Sequence, residues 1–197
     1  PYFLPATATN FLRDGESAIG NNQRFRQSRK YDFYRNAIDY LSTNSLRGSY
    51  FEFGVHKART FSMVMSLDRF YARHSLGQGG TSYDAGAGYL SEYIAFDSFE
   101  GFPEGTQVAE HPLYKAGHTR TEVDEFIRLI SRYGQPTNRV RTIAGFYSSS
   151  LNANLAQEFR ARGTIATLVT IDCNLYESYR DVLVWLDEFL MPGSVVY

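Results

Sequence analysis

The chain has 197 residues, a net charge of −1, a hydrophobic content of 43% and a charged content of 21%. These values are ordinary for one globular domain and give no electrostatic reason to expect nucleic acid or an anionic membrane as a partner. Cys173 is the only cysteine, so an internal disulfide is excluded and a reducing, cytoplasmic location is expected. No apolar run approaches the roughly 20 residues of a transmembrane helix, and no signal peptide is recognisable.

The first 47 residues are predicted to form an N-terminal arm and a covering helix. Residues 1–22 are polar, with Gly and Asn, which favours a flexible arm. Apolar and aromatic residues then recur at helical spacing over residues 23–41 and predict a helix that covers one sheet edge. Four clustered basic residues in the first half of this helix are interpreted as a solvated face. They are Arg24, Arg26, Arg29 and Lys30.

Strand and helix patterns alternate through residues 48–197, which are predicted to form one core. Strands are predicted at residues 49–53, 93–96, 140–144, 165–171 and 194–197. Helices are predicted at residues 60–71, 121–133, 151–162 and 178–190. Pro192 and Gly193 are predicted to turn the chain before the last strand. The alternation predicts an α/β fold: a doubly wound, mostly parallel sheet with helices on both faces.

Two irregular segments interrupt the pattern. Residues 77–88 are rich in glycine, but no helix pattern or Lys-Ser/Thr pair follows them, which disfavours a phosphate-binding role. Residues 98–117 form a long predicted loop with two prolines, and long loops in compact domains tend to be functional.

Acidic residues stand at or near the ends of three predicted strands. Glu52 lies just before Gly54 in the first, Asp97 ends the second, and Asp172 follows the fourth. Because the carboxyl ends of parallel strands share one crevice in a doubly wound sheet, we expect these carboxylates to line one ligand site. A carboxylate after the second strand suits a ribose diol, and a glycine after the first lets a ligand approach the backbone.

The turn after the first strand narrows the class of ligand. Residues 54–60, Gly-Val-His-Lys-Ala-Arg-Thr, hold one glycine where a dinucleotide site has three, and they lack the Gly-Lys-Ser/Thr of a P-loop. A nucleoside without phosphates therefore fits better than NAD or FAD. The start of the next helix, near Thr60, could hold a carboxylate through free backbone N–H groups. A ribose partner and a carboxylate partner together describe S-adenosylmethionine.

Four blocks of the sequence, in order from about Gly48 to the end, resemble the macrocin O-methyltransferase family. That family consists of class I S-adenosylmethionine-dependent enzymes that methylate sugar hydroxyls in antibiotic biosynthesis. The blocks are Phe-Glu-Phe-Gly-Val-His-Lys (51–57), Ala-Phe-Asp-Ser-Phe-Glu-Gly-Phe-Pro-Glu (95–104), Gly-Phe (145–146), and Ile-Asp-Cys-Asn-Leu-Tyr-Glu-Ser (171–178) followed by Met-Pro-Gly (191–193).

The resemblance implies roles for individual residues. The residues expected to flank the methionine part of the cofactor are Glu52, Gly54, Val55 and Thr60. The residues expected around its ribose and adenine are Asp97, Ser98, Phe99, Gly145 and Phe146. Asp172 is expected to bind a divalent metal ion, Mg²⁺, and is the candidate catalytic base for a sugar hydroxyl. A hard cation with oxygen ligands would orient vicinal hydroxyls and lower the pKa of the attacking one.

The chain departs from the family pattern at three points. Ala58 stands where the family usually has Gly, and Asn174 stands where Asp is common. The family has an Asp pair after its fifth strand, so the remaining metal ligands and the last strands of the sheet are expected beyond Tyr197. These departures keep a second hypothesis open: a non-catalytic α/β domain that binds S-adenosylmethionine or a nucleotide.

The remaining predictions concern Cys173, two histidines, and the substrate and oligomeric state of the protein. Cys173 is interpreted as a packed small residue rather than a nucleophile, because no His partner is evident. His56 and His118 are weaker candidates for an acid or base in the pocket. The expected substrate is a hydroxylated small molecule, and a homo-oligomer is left open because no sequence pattern supports it.

Overall fold

The computed structural model describes residues 18–74, 88–102 and 120–197 of the chain. Five strands form one sheet in the order β3-β2-β1-β4-β5, and every neighbouring pair is parallel. The strands are β1 (Gly48–Phe53), β2 (Leu90–Asp97), β3 (Val140–Ala144), β4 (Ala166–Ile171) and β5 (Leu190–Val196). The chain runs outward in one direction from β1 to β3 and then crosses to β4 on the other side of β1. This confirms the predicted doubly wound parallel sheet.

Helices pack on both faces of the sheet. They are α1 (Ala18–Thr43), α2 (Arg59–His74), α3 (Val123–Arg132), α4 (Tyr147–Ser150), α5 (Ala153–Ala161) and α6 (Tyr176–Leu186), with a 3₁₀ turn at Asp187–Phe189. Side chains alternate between the faces along each strand. Tyr50 therefore joins the core under α1, α2 and α3, whereas Phe51 and Phe53 join the core under α5 and α6.

The core under α5 and α6 is largely aromatic. The Trp185 ring lies 4.5 Å from that of Phe189 and 5.5 Å from that of Phe159, measured between centroids. Phe53 and Phe96, from neighbouring strands, stack at 4.4 Å. Such rings bury large apolar areas, so this face supplies much of the hydrophobic stabilisation of the sheet.

Most predicted elements are confirmed, and their boundaries differ by a few residues. β3 begins and ends where it was predicted, and β2 begins three residues earlier, at Leu90. The predicted turn at Pro192 and Gly193 is wrong: both residues lie inside β5. There the pairing of β5 with β4 is irregular, and β5 is an edge strand among the described residues, a position that tolerates a proline without a backbone N–H.

The predicted arm and loops fall largely outside the described residues. Helix α1 already includes residues 18–22, so this part of the predicted flexible arm is helical instead. Residues 1–17, the Gly-rich stretch 77–87 and the loop beyond Phe102, with His118, are not among the described residues. Within the described part of the chain, no helix is both long and apolar enough to span a bilayer.

A buried carboxylate at the amino end of the sheet fastens the start of β2. Asp68, on α2, accepts hydrogen bonds from the backbone N–H groups of Tyr89 (2.7 Å) and Leu90 (3.3 Å). Its second oxygen accepts a hydrogen bond of 2.6 Å from the Tyr93 hydroxyl. Burial raises the pKa of Asp68, and these three donors oppose that rise. Asp68 thereby joins α2 to the point where the chain re-enters the sheet.

Candidate functional site

A cleft of about 670 Å³ opens at the carboxyl edge of the sheet. Gly54 after β1, Asp97 at the end of β2, Gly145 after β3 and Asp172 after β4 all line it. The strand order changes direction between β1 and β4, so the cleft lies at the topological switch point, where open α/β sheets bind ligands. Its volume is that of a small-molecule site.

Six of the ten site residues expected from the sequence line this cleft: Gly54, Asp97, Ser98, Gly145, Phe146 and Asp172. The other four are buried behind its surface: Glu52, Val55, Thr60 and Phe99. The structure therefore brings the expected strand ends together around one cavity. The individual roles assigned to these residues remain predictions.

One wall of the cleft was missed by the sequence analysis. It is formed by the segment that leads into α6 and the first turns of that helix, namely Asn174, Leu175, Glu177, Ser178, Arg180 and Asp181. The sequence blocks included part of this segment, but nothing in the spacing showed which side of α6 would face the ligand.

The turn after β1 keeps a left-handed backbone although it has a single glycine. Gly54 has φ +88°, and a Cβ there would lie 2.6 Å from the carbonyl oxygen of Asp172, so no larger residue fits between β1 and β4. His56 and Ala58 also have positive φ, at 34° and 58°. This conformation costs an ordinary L-residue roughly 1–2 kcal/mol, so the turn holds local strain beside the cleft.

Asp97 joins two loops at the floor of the cleft. Its carboxylate accepts one hydrogen bond from the backbone N–H of Val55 and one from that of Phe99, each 2.9 Å long. The Ser98 hydroxyl also donates to Asp97 Oδ1 at 3.5 Å. Because a carboxylate has about four lone-pair sites, these bonds still leave acceptor capacity for a ligand hydroxyl. Asp97 can therefore hold the β1 turn in place and still accept hydrogen bonds from a diol.

Asp172 is paired with a lysine from the N-terminal helix. The Lys30 ammonium lies 2.7 Å from Asp172 Oδ2, and the two side chains are 8% and 47% exposed. The same Nζ lies 3.4 Å from the hydroxyl of Thr60 and 5.6 Å from the centre of the Tyr197 ring. The interpretation of Lys30 as part of a solvated face is therefore wrong, whereas Arg26 and Arg29 are exposed as expected.

The described residues do not fit the divalent metal implied for Asp172. Among residues 18–74, 88–102 and 120–197, no group of three or more His, Cys, Asp or Glu side chains could hold a metal ion. Mg²⁺ needs a near-octahedral set of oxygen ligands, and one oxygen of Asp172 already accepts the Lys30 ammonium.

A buried chain of hydroxyls runs from Glu52 to helix α1. The Tyr50 hydroxyl donates to Glu52 at 2.5 Å and also shares a hydrogen bond of 2.8 Å with Thr170. The Thr170 hydroxyl in turn lies 2.6 Å from that of Tyr34 on α1. Burial raises the pKa of Glu52 to about 8, while the Tyr50 hydrogen bond and the Lys30 charge oppose that rise. Glu52 is therefore mostly protonated, and uncharged, at neutral pH.

The lining of the cleft carries more negative than positive charge. Among the described residues, its acidic members are Asp97, Asp172, Glu177 and Asp181, and its arginine, Arg180, pairs with Asp181 at 2.8 Å. His56 also lines the cleft. Cys173 does so as well, but burial raises the pKa of its thiol to about 12, so it is not a thiolate at neutral pH. This agrees with its interpretation as a packed residue.

Comparison with known proteins bears on the fold. No family model and no curated protein sequence matches the chain, so the resemblance to the macrocin family is not confirmed. Solved structures do match. A crystal structure of CalS11, described as calicheamicin methyltransferase, superposes with a TM-score of 0.64 at 19% identity, over 96% of this chain and 73% of that one.

Two further structures show the same likeness. The O-methyltransferase NovP matches with a TM-score of 0.58 at 17% identity, over 84% of this chain and 62% of its own. The apo form of CalS11, described as a TDP-rhamnose 3'-O-methyltransferase of calicheamicin biosynthesis, matches with a TM-score of 0.55 at 17% identity, over 96% of this chain and 75% of its own. Identities this low speak to architecture rather than to activity. The chain has the Rossmann-like fold of methyltransferases.

Proposed function

We propose that this chain is an S-adenosylmethionine-dependent O-methyltransferase that methylates a hydroxyl of a small molecule, with a sugar of a natural product as one candidate acceptor. The observation that carries the proposal is the cleft at the switch point, where Gly54, Asp97 and Gly145 meet Asp172. The three structural neighbours, described as methyltransferases, support it by fold analogy. A place in the macrocin O-methyltransferase family is part of this proposal.

The charge of the cleft favours S-adenosylmethionine over a nucleotide. The cofactor carries a sulfonium and an ammonium group, whereas a nucleotide carries phosphates. Of the four carboxylates that line the cleft, Asp181 is paired with Arg180 and Asp172 with Lys30, so Asp97 and Glu177 leave the described lining with a net negative charge. An acidic lining attracts a cationic ligand and repels phosphates. The turn after β1 also lacks the residues with which P-loops hold phosphate.

Each part of the cofactor has a proposed partner on the edge of the sheet. Asp97 accepts hydrogen bonds from the ribose hydroxyls, and Phe146 and Gly145 flank the adenine. The methionine end lies over the turn that follows Gly54, near the start of α2, where backbone N–H groups favour a carboxylate. Glu52, Val55, Thr60 and Phe99 shape these contacts from behind, because they are buried.

Methyl transfer in this cleft needs mainly alignment. A bound cofactor would supply a methyl group on its sulfonium, and the cleft would have to hold the acceptor oxygen in line with that group while the departing sulfur keeps the electron pair of the broken bond as a neutral thioether. Asp172 is the proposed base that takes the hydroxyl proton, because its carboxylate lines the cleft and is half exposed. The proposal contains no metal step.

Calorimetric titration with S-adenosylmethionine tests the proposal. We expect saturable binding by the wild-type chain and at least tenfold weaker binding by Asp97→Ala, which removes the ribose partner. Asp124→Ala, on the exposed side of α3, is the matched control and should bind as the wild type does. ATP should not compete. An absence of cofactor binding, or an Asp97→Ala variant that binds like the wild type, would overturn the proposal.

A non-catalytic binding domain is the second candidate function. The observation that favours it is the ion pair with Lys30, which already engages the proposed base. The two candidates separate once the cofactor is bound. Incubation with a panel of free and nucleotide-linked sugars should yield S-adenosylhomocysteine and a methylated sugar if the chain is an enzyme. Cofactor binding without either product across that panel would favour the second candidate.

A further inference from the structure

The ammonium of Lys30 has a complete set of partners inside the protein. Asp172 supplies a carboxylate at 2.7 Å, Thr60 supplies a hydroxyl at 3.4 Å, and the ring face of Tyr197 lies 5.6 Å away. The lysine side chain is only 8% exposed. A buried charge is tolerated when a counter-ion and further polar contacts replace its water, and this set meets that condition.

The charges around this ammonium are balanced without any added ion. Lys30 contributes one positive charge and Asp172 one negative charge. Glu52, buried nearby, is mostly protonated at neutral pH and so adds little charge. A divalent cation on Asp172 would bring two more positive charges close to an ammonium that is 2.7 Å from this carboxylate and only 8% exposed. Like charges at such short range strongly oppose each other.

We infer that Lys30 is the resident cation of Asp172, so that an ammonium from helix α1 holds the position beside this carboxylate that a divalent ion would otherwise take. The pair joins α1 to the carboxyl end of β4. It also sets a positive charge directly against a carboxylate that lines the cleft. In this inference Lys30 is a positioning residue that acts through Asp172.

The Lys30–Asp172 pair should control the affinity of the protein for Mn²⁺, and this affinity can be measured without methyl transfer. Wild-type protein and Asp172→Asn should bind Mn²⁺ equally weakly, because Asp172 is already engaged. Lys30→Met removes the ammonium but keeps a similar apolar stem. It should therefore free Asp172, and any gain in Mn²⁺ affinity over the wild type should disappear when Asp172→Asn is added to that variant.

Titration with Mn²⁺ alone, followed by electron paramagnetic resonance of the free ion, measures these affinities. Lys30→Arg is the conservative control and should behave as the wild type, because it keeps a cation on the carboxylate. Circular dichroism and thermal melting establish that each variant is folded. Mn²⁺ binding by the wild type that Asp172→Asn weakens tenfold or more would overturn the inference, and so would a gain in Lys30→Met that Asp172→Asn does not remove. The comparison of wild type with Asp172→Asn stands even if Lys30→Met does not fold.

Discussion

Each end of the sheet has a buried carboxyl group, and the two groups have different hydrogen-bond partners. At the amino end, Asp68 accepts hydrogen bonds from two backbone N–H groups and from Tyr93, so its acceptors are met by fixed donors. At the carboxyl end, Glu52 takes its hydrogen bond from Tyr50, whose hydroxyl is shared with Thr170. The bonds to Asp68 hold the start of β2 against α2. The bonds around Glu52 form a line of hydroxyl groups, along which protons can be redistributed.

Backbone strain separates the two ends in the same way. Four non-glycine residues in the described ranges have positive φ, and three of them follow β1 or β2 at the carboxyl end: His56, Ala58 and Phe99. Strain of this kind tends to collect at binding sites, where the surrounding structure enforces it. The amino end of the sheet therefore contributes to stability, whereas the backbone that shapes the cleft at the carboxyl end costs some stability.

The ionisation of Glu52 should have the largest effect on the free energy of unfolding, and this effect should depend on pH. Burial raises its pKa from 4.5 to about 8, so the folded state holds a proton that the unfolded chain releases. The stability that this proton provides is complete below pH 4.5 and is lost as the pH rises through 8. At 1.36 kcal/mol per pKa unit, the loss is on the order of 5 kcal/mol.

Glu52→Gln keeps the acceptor oxygen but cannot ionise. Urea unfolding at several pH values from 4.5 to 9 should therefore show the variant gaining stability relative to the wild type up to about pH 8, with a constant difference above that. The wild-type-minus-variant difference isolates Glu52 from the other titrating groups. Parallel stability curves would show that this carboxyl is not buried as described.

Removing the carboxylate at the amino end should cost stability without a comparable effect on the cleft. Asp68→Ala leaves the Tyr93 hydroxyl and two backbone N–H groups without their acceptor, which we expect to lower the free energy of unfolding by about 3 kcal/mol. Asp68→Asn keeps one acceptor oxygen and should cost less. Urea unfolding measures both, and Asp124→Ala serves again as the exposed control. A loss below about 1 kcal/mol for Asp68→Ala would contradict the fastening role.

Relaxing the turn after β1 should have the smallest effect. His56 is exposed and has φ 34°, so His56→Gly removes steric strain from the turn. Because glycine also makes the unfolded chain more flexible, we expect a net change within about 1 kcal/mol, in the stabilising direction. Thermal melting detects it. A clear destabilisation would show that the His56 side chain makes a contact that matters more than the strain.

The sheet could be predicted from the sequence because its strands are buried on both faces. A run such as Ala166–Ile171 is continuously apolar or β-branched and stops at an acidic residue, a pattern that few other structures produce. The convergence of Gly54, Asp97 and Asp172 followed from parallel topology alone. The prediction of a turn at Pro192 and Gly193 was wrong, because an edge strand can contain residues that usually end a strand.

The burial of Lys30 and its contact with Asp172 were not predicted, because the charge of this residue was given more weight than its position in the helix. It lies four residues before Tyr34 and eight before Ile38, so it continues the apolar stripe of α1 by one turn. Lysine stems often follow apolar surface, but their charged ends usually reach water. Here the end reaches Asp172, which lies 142 residues away in the sequence. Spacing within one helix could indicate which way Lys30 points but not which residue it meets.

The aromatic core around Trp185 has a practical consequence. Trp185 is the only tryptophan of the chain, and it is buried against Phe159 and Phe189 on the face opposite α1. Its fluorescence therefore reports on one layer of the molecule, while circular dichroism reports on all of its helices. Unfolding curves that coincide in the two signals would mean that both layers melt as a single cooperative unit. An earlier loss of dichroism would mean that the layer built on α1 opens first, while the indole is still shielded from water.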